Sequence, residues 1–149
     1  MTSEFDELEE QIMEDIRRIY TETVIDHAQN PRNVGDMPEA DGFAKITGPC
    51  GDTMEIWLKV RDDKVDKTTF WTDGCGPSIA CGSMVTEIAT NKRVAELQGI
   101  SQEVVLEALG GLPEDHKHCA LLAANTLKEA ARDYLSYKRE PWKRAYRKH

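Results

Sequence analysis

Residues 53–72 read TMEIWLKVRDDKVDKTTFWT, and this stretch decides the fold. In its first half the apolar and the more polar positions alternate, which is the period of a β-strand: Met54, Ile56, Leu58 and Val60 alternate with Thr53, Glu55, Trp57 and Lys59. Residues 61–64 form a polar turn, and 65–72 are rich in threonine and aromatic residues, which favour strands. Two such runs so close in sequence predict an antiparallel hairpin.

The sequence on either side of this hairpin adds one strand and several helices. Residues 43–47 predict a short further strand. Apolar side chains recur at helical spacing over 5–27, over 77–89, near 94–97 and 104–109, and in a last helix that starts about Asp115 or His116. The predicted fold class is α+β, a three-stranded antiparallel sheet packed by helices, rather than a repeat of βαβ units.

Length and charge limit the classes of function. The 149 residues, 40% of them hydrophobic, predict a single domain over 1–149, with a core of about 5–137 and a basic tail over 138–149. The net charge of −8 argues against nucleic acid and anionic membranes as partners.

There is no apolar stretch of membrane-spanning length, and the N-terminus is acidic, unlike a transit peptide, so we expect a cytoplasmic protein. The acidic run within 4–15 and the basic run within 138–148 are either solvated surface or a docking patch for an oppositely charged protein.

The chain has four cysteines and no Cys-x-x-Cys pair: Cys50, Cys75, Cys81 and Cys119. In a reducing compartment, cysteines are more often metal ligands or reactive groups than disulfide partners. Cys50 and Cys75 lie in glycine-containing turns, and glycine lets the backbone approach a bulky inorganic group. Cys75 and Cys119 precede or begin predicted helices, where the helix N-terminus lowers a thiol pKa. These three cysteines are candidate ligands, with simple packing as the alternative for each.

Thiolates select zinc, copper(I) or iron–sulfur clusters, and three of them leave one position to another ligand. Asp52 and His118 lie beside Cys50 and Cys119 and offer an exchangeable oxygen or nitrogen atom. Permanent electron carriers commonly use four cysteines, so an exchangeable ligand suits a cluster that is passed on. Asp52 as a turn cap and His118 as a helix cap or packing residue remain alternatives. We interpret Cys81, inside a predicted helix, as a small core residue or a residue behind the ligands.

Five short segments, taken together, resemble the IscU iron–sulfur cluster scaffold family, also called the NifU N-terminal domain. The similarity covers about residues 17–135 and includes 24–27, 30–33, 48–52, 74–76 and 117–119. The resemblance implies the fold shared by IscU, NifU N-terminal and SufE-like proteins, with the cysteines at one end. It also implies binding of iron as a [2Fe–2S] cluster, or of zinc in the cluster-free form. By position it implies the following cluster and metal residues: Cys50, Asp52, Cys75, His118 and Cys119.

The same resemblance implies a scaffold rather than an enzyme. Cys119 matches the residue that accepts sulfur as a persulfide from a cysteine desulfurase, and Asp52 matches the acid whose replacement traps the cluster. The implied partners are the desulfurase, a ferredoxin-type reductant and apo iron–sulfur acceptor proteins. Whether one chain or a homodimer holds the cluster stays open. Residues 112–117 lack the Leu-Pro-Pro-x-Lys segment of members served by a DnaK-type chaperone, so use of that chaperone also stays open.

Two other functions compete with the scaffold interpretation. The first is a zinc-bound persulfide acceptor in a sulfurtransferase relay. Relatives of that type carry an insertion between the second cysteine and the last helix, and the short interval from Cys75 to Cys119 argues against it. The second is a structural zinc domain, which would unfold when its metal is removed.

Overall fold

The computed structural model of the protein describes residues 3–142, and its elements follow the predicted order. The helices are α1 (Glu4–Ile19), α2 (Glu22–Gln29), α3 (Gly76–Ala89), α4 (Gln102–Leu109) and α5 (Lys117–Arg139), with short 3-10 helices at Val94–Gly99 and Glu114–His116. The strands β1 (Gly42–Thr47), β2 (Thr53–Arg61) and β3 (Lys64–Thr72) form one antiparallel sheet in the order β1-β2-β3. The predicted α+β class is therefore confirmed.

The register of the sheet brings the loop between β1 and β2 and the loop after β3 to the same end of the sheet. Thr47 of β1 pairs with Thr53 of β2, and Met54 of β2 pairs with Thr72 of β3. At the opposite end of the sheet, Asp62 and Asp63 form the turn between β2 and β3. Their φ angles of 54° and 60° are those of a tight hairpin turn. Because neighbouring strands are antiparallel, the loop after β1 and the loop after β3 lie side by side.

The main core lies between the inner face of the sheet and helices α3 and α5. Met54, Ile56 and Leu58 alternate along β2 and are fully buried against side chains that include Val85 of α3 and Leu127 of α5. On the outer face, Trp57 packs in a small separate cluster with Met37, Ala40 and Phe43. The period of two in the sequence therefore separates these two faces of β2.

The predicted continuous helix over 5–27 is wrong, because the chain divides at Tyr20. The backbone of Tyr20 is extended, with φ −114° and ψ 147°, and Thr21 begins a new helix as its N-cap. The Thr21 hydroxyl oxygen accepts the Val24 N–H at 3.1 Å, and the hydroxyl donates to the Leu109 carbonyl at 2.5 Å. These two bonds stabilise the start of α2 and attach it to the end of α4.

Helix α1 is amphipathic, as predicted, but it lies outside the core. It contains no buried residue, and Phe5, Leu8 and Ile19 are 67%, 58% and 60% exposed. Ser3 and Asp6 form a capping box at its start, with the Asp6 N–H donating to the Ser3 hydroxyl at 3.2 Å. Its helical form therefore depends on local capping and the contact with α2 rather than on burial.

The described residues include the acidic run within 4–15 and the first part of the basic run within 138–148. The acidic side chains of α1 are all exposed. At the other end, the Lys138 ammonium lies 2.5 Å from the Asp63 carboxylate, and the rest of the predicted basic tail from 143 onward lies outside the described residues. Among residues 3–142, no helix combines the length and the apolar composition needed to cross a membrane.

Candidate metal and sulfur site

The first part of the site is the loop between β1 and β2. The Gly48 N–H donates to the Asp52 carbonyl at 2.8 Å, and the Gly51 N–H donates to the Gly48 carbonyl at 3.0 Å. Gly51 has a φ angle of +92°, which only glycine adopts without strain. This tight loop exposes Cys50 and leaves Asp52 half-buried.

The second part of the site is the connection from β3 to α3. The Asp73 carboxylate accepts the Thr53 N–H at 2.7 Å and so joins this connection to the start of β2. Cys75 is the N-cap of α3 and is exposed, and Pro77 lies in the first turn, where it lacks no needed N–H. The predicted position of Cys75 at a helix start is confirmed.

The third part of the site is the start of α5. His118 is half-buried, and Cys119 is 1% exposed and belongs to the main core. The Cys119 Sγ atom lies 3.7 Å from the Nε2 atom of His118. Cys81, by contrast, is fully buried within α3 and packs in the core, in agreement with its interpretation as a core residue.

Three of the predicted ligands converge on one point. The thiol sulfur of Cys50, a carboxylate oxygen of Asp52 and a ring nitrogen of His118 all lie within 4.8 Å of one another. Sulfur, oxygen and imidazole nitrogen are all ligands that zinc accepts, and a thiolate with a carboxylate also suits iron. Cys119 is not one of these three residues but lies beside them, in contact with His118. The exposed Cys75 also lies outside the group, at the N-cap of α3.

One residue of the site was missed by sequence reasoning. Ser78 of α3 is fully buried, and its hydroxyl lies 3.2 Å from Asp52 Oδ2 and 3.3 Å from Cys119 Sγ. Its position one turn after Cys75, in a helix that begins at the site, was the available signal, since side chains in a helix lean toward the N-terminus. The partners Asp52 and Cys119 lie 26 and 41 residues away in sequence.

Burial is the main influence on the pKa of the Cys119 thiol. It raises the pKa of the Cys119 thiol, and the negative charges of Cys75, Asp52 and Cys50 act in the same direction, while the hydrogen bond from Ser78 opposes them. The expected lowering of this pKa by the helix N-terminus is therefore outweighed. Burial likewise raises the pKa of Cys81, so this thiol stays protonated at neutral pH.

Comparison with known proteins agrees with this architecture. The family model "NifU-like N terminal domain" matches residues 19–141. The chain is 46% identical over 118 residues to "Iron-sulfur cluster assembly scaffold protein IscU 1" of Archaeoglobus fulgidus, covering 78% of this chain and 77% of that protein. It is 42% identical over 126 residues to the IscU scaffold protein of Escherichia coli K12, covering 81% of this chain and 97% of that protein.

A solved structure supports the fold. The N-terminal part of a NifU-like protein from Brucella abortus superposes with a TM-score of 0.65 at 21% identity, covering 81% of this chain and 97% of that chain. The family match includes every cysteine of the chain and leaves out most of α1. The chain therefore belongs to the NifU N-terminal family, which includes the IscU scaffold proteins that its cysteine motifs resemble.

Proposed function

We propose that this chain is a scaffold on which a [2Fe–2S] cluster is assembled from iron and desulfurase-derived sulfur and then transferred to apo proteins. The observation that carries the proposal is the convergence of Cys50, Asp52 and His118 within 4.8 Å. Cys119 Sγ lies 3.7 Å from His118 Nε2, and Cys75 is the N-cap of α3. The relatives from Archaeoglobus fulgidus and Escherichia coli are named as iron–sulfur cluster assembly scaffold proteins, which supports the proposal.

The cluster is held by the thiolates of Cys50, Cys75 and Cys119, with Asp52 or His118 as the remaining ligand. Oxygen and nitrogen ligands exchange more readily than thiolates at iron, which suits a cluster that leaves. Cys50 and Cys75 are both exposed, so an acceptor protein can reach these ligands directly. In the cluster-free form, zinc takes the mixed set of sulfur, oxygen and nitrogen atoms.

Sulfur arrives through Cys119. The Cys119 thiolate attacks the outer sulfur of a persulfide on the cysteine desulfurase, an S–S bond forms on Cys119, the donor's S–S bond breaks, and the donor cysteine leaves as a thiolate. Two electrons from a ferredoxin-type reductant then release the transferred sulfur as sulfide and restore the Cys119 thiolate. Two sulfides and two iron ions form the cluster, which the chain holds stoichiometrically, as a scaffold rather than as an enzyme.

The proposal is tested by visible spectroscopy after anaerobic incubation with ferrous iron, cysteine, a cysteine desulfurase and a ferredoxin-type reductant. The wild-type protein develops sulfide-to-iron charge-transfer bands, and a chelator removes them faster from the wild type than from Asp52→Ala. Asp66→Ala serves as a control, because Asp66 is an exposed acid of β3 outside the ligand group. A colourless protein that carries a persulfide and tightly held zinc would instead establish the sulfur relay.

The structural zinc domain makes a different prediction. The main core consists of apolar side chains between the sheet and helices α3 and α5, and the convergent ligands lie at its edge. We therefore expect the far-ultraviolet circular dichroism of the protein to survive treatment with a zinc chelator. Loss of helical signal on chelation would favour the structural zinc site.

A further inference from the structure

Ser78 connects two chain segments that supply the site. Its hydroxyl lies within hydrogen-bond distance of Asp52 Oδ2, from the loop after β1, and of Cys119 Sγ, from α5. A serine hydroxyl has one hydrogen to donate and lone pairs to accept with, so it can contact both groups at once. It donates to the Asp52 carboxylate while accepting from the protonated Cys119 thiol, and in this arrangement it holds both groups. Once Cys119 is a thiolate, the single hydrogen goes to only one of the two groups.

The packing around Ser78 leaves the hydroxyl little room to move. Ser78 is fully buried, and on its side toward the loop it lies against Gly74. A Cβ atom at position 74 would lie 2.6 Å from both the Cβ and the Oγ atom of Ser78 and 3.0 Å from Asp52 Oδ2. The glycine therefore provides the space in which Ser78 and Asp52 meet.

We propose that Ser78 is a positioning residue of the metal and cluster site, which in the metal-free protein holds the side chains of Asp52 and Cys119 in the orientation that binds metal. A carboxylate held at Oδ2 presents its other oxygen to the ion, and a sulfur held by the hydroxyl keeps one rotamer. Groups that orient ligands in this way contribute about 10–100-fold to metal affinity in proteins. The inference rests on the ligand set of the proposed function, and Ser78 itself is not a ligand.

The test is a Zn²⁺ titration of the full chain in competition with a chromogenic chelator. Ser78→Ala removes only the hydroxyl, so we expect a Zn²⁺ dissociation constant about 10–100-fold higher than that of the wild type, with a nearly unchanged melting temperature. Ser83→Ala is the matched control. Ser83 is also a fully buried serine of α3, but its hydroxyl contacts His27 Nδ1 at 2.7 Å and the Arg32 N–H at 2.9 Å, outside the ligand group. We expect this control to retain the wild-type affinity for Zn²⁺.

A double-mutant cycle shows whether Ser78 acts through Asp52. In the Asp52→Ala background one of the two groups that Ser78 holds is gone, so Ser78→Ala should reduce Zn²⁺ affinity by a smaller factor than in the wild type. Equal factors in the two backgrounds, equal losses in Ser78→Ala and Ser83→Ala, or wild-type affinity in Ser78→Ala would each overturn the inference. A wild-type protein that binds no metal would overturn the proposed ligand set as well, so the two failures are distinguishable.

Discussion

Gly74 lies directly against Ser78, at a distance that leaves no room for a side chain at position 74. A methyl group there would lie 2.6 Å from the Ser78 hydroxyl oxygen and 3.0 Å from Asp52 Oδ2, so one of the two must move. The glycine before Cys75 therefore shapes the site through the residues that it allows to meet.

This contact predicts that Gly74→Ala weakens metal binding. The added methyl group displaces Ser78 or Asp52, so we expect a higher dissociation constant for Zn²⁺ in the same chelator competition. Gly76→Ala is the control, because the nearest atom of the described residues to a Cβ at 76 is the Ala28 methyl group at 3.9 Å, an ordinary contact. Equal affinities of the two variants would contradict the prediction.

A second glycine sets the packing of α3 on the sheet. A Cβ atom at Gly82 would lie 2.4 Å from Cδ2 of the buried Phe70 ring in β3. Overpacking of this kind costs about 1–3 kcal/mol, so Gly82→Ala should lower the urea midpoint substantially. Among residues 3–142, a Cβ atom at Gly99 would meet no atom within 4 Å, and Gly99→Ala should stay close to the wild type. A wild-type midpoint in Gly82→Ala would show that the helix can move away without cost.

Replacing a leucine by alanine should affect stability differently in α5 and in α1. Leu127 of α5 is fully buried, so Leu127→Ala should lower the free energy of unfolding by about 2–5 kcal/mol. Leu8 of α1 is 58% exposed, and Leu8→Ala should change it by no more than about 0.5 kcal/mol. Chemical denaturation measures both. A large loss in Leu8→Ala would mean that α1 packs against the domain in solution.

Because of His27, we expect the protein to lose stability as the pH falls below neutral. His27 is 5% exposed, and burial, followed by the positive charge of Arg32, lowers its pKa, although Glu87 and Asp26 oppose this shift. The folded state therefore holds His27 neutral, while the unfolded state binds a proton below its ordinary pKa of 6.5. The stabilisation is present above that pKa and is lost as the pH falls through the lowered pKa of the folded state.

Urea midpoints measured between about pH 7.5 and pH 5 test this prediction. The wild-type midpoint should fall across this window, and His27→Asn should show a smaller fall. His116→Asn is the control for loss of an imidazole elsewhere in the chain, because His116 lies in the 3-10 helix Glu114–His116 and outside the contacts of His27 with Ser83 and Glu87. Parallel slopes for the wild type and His27→Asn would assign the pH dependence to other groups.

The four thiols should differ in their reaction with iodoacetamide. Cys50 and Cys75 are exposed, whereas Cys119 and Cys81 are 1% and 0% exposed and burial raises the pKa of both. At neutral pH in the metal-free protein, Cys50 and Cys75 should therefore be alkylated first, with Cys119 later and Cys81 last. Peptide-resolved mass spectrometry measures the order, and the rate for Cys119 should rise as the pH approaches and passes the ordinary thiol value. Rapid alkylation of Cys119 at neutral pH would contradict this burial.

The hairpin was predictable from sequence, and so was the helix predicted from Pro77, which the structure begins at Gly76. The sequence also proposed the candidate ligands. Alternation over Met54–Val60 reports which side chains face the core, because the geometry of a strand repeats every two residues. Cys50 and Cys75 stand out for a similar local reason, since glycine beside them permits backbone angles that other residues avoid and proline fixes φ.

The division between α1 and α2 was not predictable in this way. Tyr20 continues the apolar helical pattern, but the Thr21 hydroxyl donates to the carbonyl of Leu109, which lies 88 residues away. The exposure of α1 is a second example. The apolar stripe through Leu8 and Ile12 is typical of a packed helix, and only the assembled domain shows that the sheet is already covered by α3 and α5.

The sequence by itself therefore determined the order of the elements, the faces of the strands and the candidate ligands, because periodicity and turn residues act within a few positions of the chain. Only the tertiary structure decided that Cys50, Asp52 and His118 converge, that Cys119 is buried, and that the Ser78 hydroxyl lies between Asp52 and Cys119. The physical reason is that distance and burial depend on how the loops after β1 and β3 pack against the start of α5, and no local preference encodes that contact.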